Sequence, residues 1–390
     1  MLVFRLLPWE YSVRNLFRRP LRTGLTLVGL TTVLVLVLVV IGFIRGLEVS
    51  LARSGDPDTA IVFALGMGEN LEYSSIPMRT ADLVSANIPG IGERYGRKYV
   101  SAELYLGTEV YVGNRDRPSL GLVRGVTPDI VRVRRGAQLE SGRWPGPGEV
   151  LVGTLVATKL GVDREELQSG AGLKFEGKTW RVSGEFSAAG AAFESEVWCG
   201  LDDLQQAMQR QDLSMVAMTF ATSDGFADLQ MFCKERTTDL RLQTIRENDY
   251  YALLQKDYGP IRMLAWLVVA LVSGAGVFAG LNTMYAAALG RAREMAVLQT
   301  IGFARPALVV GLVQEGVLLS AAAGLLATLI TAVGLQGAAV RFTMGAFALA
   351  IDGKTVLIGC ALAVLLGVLG TIPPAIRTMR MPIVEGLKAV

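Results

Sequence analysis

Residues Gly172-Leu-Lys-Phe-Glu-Gly177-Lys178-Thr179 match the phosphate-loop pattern G-x4-G-K-[ST]. In such a loop, backbone N–H groups and a helix dipole face the phosphates. A buried strand must therefore precede the glycines and a helix must follow them. Here the turn-like Leu167-Gln-Ser-Gly-Ala comes before, and the alternating Trp180-Arg-Val-Ser-Gly-Glu-Phe comes after. That is a β-hairpin pattern with Glu176-Gly177-Lys178 at its turn. No apolar strand ending in paired acids follows to hold a metal ion, so the match reads as coincidence. The chain has no His, which removes His acid–base chemistry, phosphorelay and His metal ligation, and with them any Ser/His/Asp or Cys/His set. Three cysteines are too few and too scattered for a zinc or iron–sulfur framework. The carboxylate pairs Glu165–Glu166, Asp202–Asp203 and Glu194/Glu196 read as solvated surface charge, since acidic residues are mostly exposed. Cys199 and Cys233 fit either a disulfide or two buried thiols, and Cys360 reads as a small packing residue. No catalytic, cofactor-binding or metal site is expected in this chain.

These residues sit in a chain of 390 residues that is 51% hydrophobic and only 19% charged. Ordinary soluble domains carry about 25% charged residues. A net charge of +3 from 38 basic and 35 acidic residues gives no reason to invoke nucleic acid. The apolar excess lies in four runs, Gly24–Ile44, Met263–Gly290, Pro306–Val340 and Thr355–Ile376, each long enough to span a bilayer. Four transmembrane helices are expected, at 23–46, 261–289, 306–336 and 355–376. The first is read as an uncleaved span, since its core is longer than a signal peptide's and Arg45 and Glu48 follow it. Glu315 lies nine residues past Pro306, about 13 Å into the third span at helical rise. An ionisable residue there is expensive and is expected to have a structural partner across the helices. In the second span, Gly276-x-x-x-Gly280 suits close helix contact.

Basic residues set the orientation. Arg5, Arg14, Arg18, Arg19 and Arg22 precede the first span, Arg291, Arg293 and Arg305 follow the second, and Arg377, Arg380 and Lys388 close the chain. Both termini are expected in the cytoplasm, with segment 1–22 as an amphipathic flank on the inner membrane face and 377–390 as a tail. The stretch 47–260 is then extracytoplasmic, and 337–354 is a short loop on the same side. Within 47–260, strand-like runs such as Ala60–Leu65, Tyr99–Val112, Leu120–Val126 and Trp180–Phe186 mix with helix-like runs at Leu155–Leu160, Leu201–Arg210, Gly225–Arg236 and Glu247–Asp257. The fold class is a membrane protein of four transmembrane α-helices with a large α+β extracytoplasmic domain inserted between spans one and two.

The loop at 290–305 contains Gly290-Arg-Ala-Arg-Glu-Met-Ala-Val-Leu-Gln-Thr-Ile-Gly302, a short amphipathic helix suited to a groove on a partner. It is followed in the third span by Gln314-Glu315-Gly316. Together with the N-terminal Arg14-Asn-Leu-Phe-Arg-Arg-Pro-Leu-Arg-Thr23, the segment Leu139-Glu-Ser-Gly-Arg-Trp-Pro-Gly-Pro-Gly-Glu-Val-Leu-Val-Gly153 and the tail Ala375-Ile-Arg-Thr-Met-Arg-Met-Pro-Ile-Val-Glu-Gly-Leu-Lys388, this resembles the permeases of type VII ABC transporters. These are the MacB-type, LolC/LolE-type, DevC-type and FtsX-like permeases, and the one-plus-three span topology resembles theirs too. The resemblance implies a non-catalytic membrane subunit that pairs with a second permease, as homodimer or heterodimer, and docks a separate cytoplasmic ATPase that binds ATP and Mg. It implies a bacterial inner-membrane location, and a periplasmic adaptor is a further partner that it suggests. The 290–302 helix would be the coupling helix. Arg291, Arg293 and Glu294 would orient and dock it, and Met295, Val297, Leu298 and Ile301 would give its apolar contact, with Gly302 at its end. The implied function is transmission of ATP-driven motion to the outside domain, for export or extraction of a hydrophobic substrate or lipoprotein. The alternatives are an FtsX-like regulator of a cell-wall hydrolase and an ATP-independent membrane sensor or structural protein.

Overall fold

The structure, a computed structural model, describes residues 9–18, 20–68, 70–222, 224–335, 337–342, 345–380 and 382. The first eight residues of the N-terminal flank, and Met381 and residues 383–390 of the tail motif, lie outside the described residues. The chain opens with helices α1 (Trp9–Arg18) and α2 (Pro20–Ser54). Ten strands of one sheet follow: β1 (Thr59–Ala64), β2 (Val100–Val112), β3 (Ser119–Val126), β4 (Gln138–Gly142), β5 (Glu149–Gly153), β6 (Gly172–Phe175), β7 (Lys178–Ser187), β8 (Glu196–Gly200), β9 (Met215–Thr219) and β10 (Leu242–Arg246). Helices α3 (Thr80–Asn87), α4 (Val156–Leu160), α5 (Leu201–Met208), α6 (Gly225–Glu235) and α7 (Glu247–Asp257) are interspersed. Then come α8 (Gly259–Leu289), α9 (Ala292–Thr300), α10 (Arg305–Gly334), a hairpin of β11 (Ala339–Phe342) and β12 (Gly345–Ala348), and α11 (Gly353–Met379). Helices α2, α8, α10 and α11 are long and apolar enough to cross a membrane.

Two compact units result. One takes in the described residues up to Arg45, Pro260–Gly337 and those from Leu349 on; the other is Gly46–Gly259 with Ala338–Ala348. In the helical unit, Leu34 and Leu38 of α2 pack with Ala323 and Ala327 of α10 and with Ala363 and Leu366 of α11. The crossing of α10 and α11 is close because glycine faces a small polar residue twice: a Cβ on Gly316 would strike Thr371 and one on Gly367 would strike Ser320. Gly280 of α8 lies against Gly370 of α11, and a Cβ on Gly276 would fall 2.9 Å from Val33 of α2. The glycine pair in the second apolar run thus faces inward.

The inserted unit is α+β. Its sheet runs β10-β1-β9-β2-β3-β8-β5-β7-β4, with β6 pairing β7 and β2. Pairing is antiparallel except between β3 and β8 and between β5 and β7. Both faces are covered, which is why β1 reads as an unbroken apolar run rather than an alternating one. Ala60 and Val62 join the core beneath α3, α5 and α6, while Ile61 and Phe63 join a second core with Met215, Ala217 and Tyr250. The phosphate-loop match is a hairpin, with Phe175 of β6 opposite Lys178 of β7. Glu176 (φ +47°) and Gly177 (φ +70°) form its two-residue turn, the geometry of a type I′ connection. The 337–354 loop, expected as a plain connection, instead holds the β11–β12 hairpin, which belongs to this unit. Lys159 Nζ of α4 donates to the carbonyl of Phe342 at 3.2 Å. Burial and the nearby Arg341 lower the Lys159 ammonium to about 8.

Five charged side chains are buried together in this unit. Arg124 of β3 donates Nε and Nη2 to Glu196 (2.7 and 2.6 Å) and Nη1 to Glu103 (2.6 Å). Arg134 donates to Glu103 at 3.4 Å and pairs with Glu247. Trp198 Nε1 donates to Glu196 at 2.9 Å. Tyr105 faces Arg124 across the strands, with the guanidinium 4.5 Å from its ring centre, and Arg134 lies 4.7 Å from Phe193. Burial acts to raise the Glu103 carboxyl, but Arg134 and Arg124 outweigh it and hold the group below its ordinary value. The expectation that Glu194 and Glu196 are solvated is therefore corrected: both are buried. Glu194 accepts from the N–H groups of Ala188 (2.7 Å) and Gly190 (2.9 Å), which removes its need for water. Glu166 pairs with Arg115 (2.6 Å), and Asp203 with Lys178 (3.3 Å). No disulfide joins Cys199 and Cys233 in the structure; both are buried thiols, and burial pushes Cys233 up to about 12.

Candidate coupling site

The helical unit places the residues singled out between the second and third apolar runs on α9 and its flanks. Arg291 sits at the N-cap position of α9, directly after α8 ends. Its guanidinium reaches Glu315 of α10 with Nη1–Oε2 at 2.8 Å and Nη2–Oε1 at 3.2 Å, a two-pronged pair of buried side chains. Asn15 of α1 donates Nδ2 to the same Oε2 at 2.9 Å. One turn earlier, Ser12 donates to the carbonyl of Gly311 at 3.2 Å. The i, i+3 pair Ser12/Asn15 thus lies along the i, i+4 pair Gly311/Glu315. Arg22 donates to the carbonyl of Thr283 in α8 and Thr23 to that of Leu16 (2.8 Å), tying α1 and the start of α2 to their neighbours. A buried carboxylate is costly unless it is paired and its lone pairs are filled. Here a guanidinium and an amide do both, the guanidinium from 24 residues away in the chain and the amide from 300.

The far end of α9 is closed by Gly302 at φ +106°, a backbone conformation reserved for glycine. Phe303 N–H returns to the carbonyl of Leu298 at 3.1 Å, and Pro306 opens α10 with its fixed φ. Between these ends α9 has two faces. Met295 packs on Leu308 and Leu312 of α10 and on Ala375 and Met379 of α11, with Leu298 partly buried beside it. Arg293, Glu294, Val297 and Ile301 are exposed along the opposite face.

The sequence expectation grouped all of these as partner-facing. Arg291, Met295 and Leu298 are turned inward, Gly302 has the work of a turn, and Arg293, Glu294, Val297 and Ile301 are outward. Glu315 has the partners expected of it. Asn15 of α1 is buried, whereas Phe17 of the same helix is exposed. The signal for Asn15 was present in the unmet need of a carboxylate inside an apolar run for a polar neighbour on another helix. Arg124, Glu103, Arg134 and Glu247 were not singled out, because their pairing depends on sheet order.

A helical unit of four long apolar helices, an α+β unit inserted after the first of them and a braced short helix between the second and third define a multi-pass membrane protein. Residues 23–230 match the MacB-like periplasmic core domain family, and residues 266–383 match the FtsX-like permease C-terminal family. The chain belongs to the MacB/FtsX-like permeases of type VII ABC transporters, with an extracytoplasmic domain between its first two spans. Membership carries partnership with an ABC ATPase and pairing of permeases. Among solved structures, the periplasmic region of MacB from Actinobacillus actinomycetemcomitans is similar at 13% identity and TM-score 0.41, covering 52% of this chain and 95% of that one. The extracellular domain of the noncanonic ABC-type transporter YknZ from Gram-positive bacteria is similar at 13% identity and TM-score 0.37, covering 48% and 99%. A domain of a permease-type protein from Porphyromonas gingivalis gives 13% identity and TM-score 0.35, covering 49% and 90%. Comparison with curated proteins gave no match.

Proposed function

We propose that this chain is the non-catalytic membrane subunit of an ABC machine, one that converts ATP hydrolysis on a separate ATPase into motion of its extracytoplasmic domain. The observation that carries the reading is the two-faced α9. Its inner face is locked by Arg291–Glu315 and by Met295, and its outer face offers Arg293, Glu294, Val297 and Ile301. A push on the outer face would be delivered through Glu315 to α10 and through Asn15 to α1, because a rigid bidentate pair transmits displacement where a solvated loop would absorb it. In this reading both termini and α9 are cytoplasmic, as the flanking arginines favour, and the membrane is a bacterial inner membrane. The exposed apolar side of α8, with Met263, Leu264, Leu267, Leu271 and Phe278, suits a second permease copy or homologue. The cargo class in this reading is a hydrophobic substrate or a lipoprotein.

The test is ATPase stimulation in the reconstituted complex. Val297→Asp and Ile301→Asp are expected to abolish stimulation while membrane insertion and melting temperature stay unchanged. Full stimulation by both variants would overturn the reading.

A further inference from the structure

The extracytoplasmic unit holds a cavity of about 100 Å³ whose lining residues all belong to that unit. Leu51, Leu71, Met215 and Leu254 give it apolar walls, and Tyr105, Tyr250, Tyr258 and Phe347 give it aromatic ones. Two features set the charge it favours. Arg124, Arg134, Glu196 and Glu247 line it, and with Glu103, which does not line it, their network has three carboxylates against two guanidinium groups, a formal surplus of one negative charge. All three nitrogens of Arg124 are engaged by Glu103 and Glu196, and Arg134 is paired with Glu103 and Glu247 with its Nε left over. Glu72, in the short turn Leu71–Tyr73, also lines the cavity. Its carboxylate has no ion pair or hydrogen bond among the described residues. A Cβ at position 107 would stand 3.0 Å from Glu72 Oε2, so the glycine found there leaves room for the carboxylate beside β2. A half-buried carboxylate without a partner, next to aromatic rings and a negative surplus, is the arrangement that recognises an ammonium group by charge and by ring faces together.

We propose that this cavity binds an organic ammonium ion carried on an apolar body, with Glu72 as the counter-charge. The proposal stands apart from ATPase docking, since none of its residues lies on α9. The ammonium could belong to a soluble amine or to a choline-type lipid headgroup.

The experiment uses the full chain in an uncharged maltoside detergent, with benzyltrimethylammonium as probe and isothermal titration calorimetry as readout. Benzenesulfonate, similar in size and opposite in charge, is the control. Saturable binding of the cation alone is expected, weakened about tenfold by Glu72→Gln, as for loss of a charge-assisted contact, and also weakened by Tyr258→Leu, with melting temperatures unchanged. Competition by dihexanoylphosphatidylcholine below its micellar concentration, but not by dihexanoylphosphatidylglycerol, assigns the lipid source. Competition by neither, with the cation still bound, assigns a soluble amine. Equal binding of the sulfonate, equal affinity in Glu72→Gln, or no saturable heat with the cation would each overturn the proposal.

Discussion

In the extracytoplasmic unit, five charged side chains share one buried site; in the helical unit, one arginine, one glutamate and one asparagine share another. The five-membered cluster is anchored on neighbouring strands: Glu103 on β2, Arg124 on β3 and Glu196 on β8 are adjacent in the sheet. Glu103, Arg124 and Glu196 cannot separate without parting a hydrogen-bonded ladder. The three-membered site joins α1, the cap of α9 and α10 with no shared backbone ladder, only side-chain bonds to side chains and to the Gly311 carbonyl. The first arrangement is a fixed scaffold. In the proposed reading the second is the brace that carries a displacement of α9 to α10 and α1.

The largest expected effect breaks the scaffold. Arg124→Met leaves Glu103 and Glu196 buried without their shared guanidinium, and should cost about 3–5 kcal/mol of stability in denaturant titration of the purified protein. A cost under about 1 kcal/mol, the range of an exposed pair, would mean the cluster is better hydrated than its burial indicates. The second effect concerns the candidate coupling site. In a double-mutant cycle on Arg291→Ala and Glu315→Ala, the coupling energy should be about 1–3 kcal/mol, because the two groups share one buried contact. Additive losses would make the pair incidental. Third, Asn15→Ala should cost about 1.5 kcal/mol, the low end for one hydrogen bond to a charged acceptor, and should expose α1 to limited proteolysis. Unchanged cleavage would detach α1 from the coupling path.

The smallest effect involves a further ion pair, at the start of α11. Arg45 donates to Asp352 at 2.9 Å, and Asp352 caps α11 by accepting from Thr355 N–H at 2.9 Å. Burial acts to raise the Asp352 carboxyl, but the Arg45 bond and the Thr355 bonds outweigh it and hold the group at about 2. A depressed carboxyl contributes stability that is complete above its unfolded value of about 3.9. That contribution is lost as pH falls through the folded value. Asp352→Asn should therefore flatten the melting-temperature profile between about pH 4 and pH 2. An unaltered slope would assign the acid sensitivity to other carboxylates.

Much of the fold could be read along the chain. The four apolar runs and the strands at Tyr99–Val112 and Trp180–Phe186 were legible, because span length and β-periodicity are local properties. Strands β4, β5 and β10 were not: Gln138–Gly142 is exposed and polar, and Leu242–Arg246 has little alternation in its burial. The β11–β12 hairpin was hidden by the short apolar residues around it. At the candidate coupling site, the sequence marked α9 and Glu315. It could not say which face of a nine-residue helix turns inward, since Met295, Val297, Leu298 and Ile301 are all apolar and only the packing of α10 and α11 divides them. The buried Glu196 was misread because its partner Arg124 is 72 residues away and arrives only through the parallel pairing of β3 and β8.

The most direct measurement is photo-crosslinking from single positions of α9 in native membranes, with adducts identified by mass spectrometry. A photoreactive residue in place of Val297 or Ile301 should capture an ABC ATPase, while one in place of Met295 should capture none. Capture from Met295 but not from Val297, or none from either while an ATPase still co-purifies, would contradict the assignment of the outer face of α9 as the coupling surface.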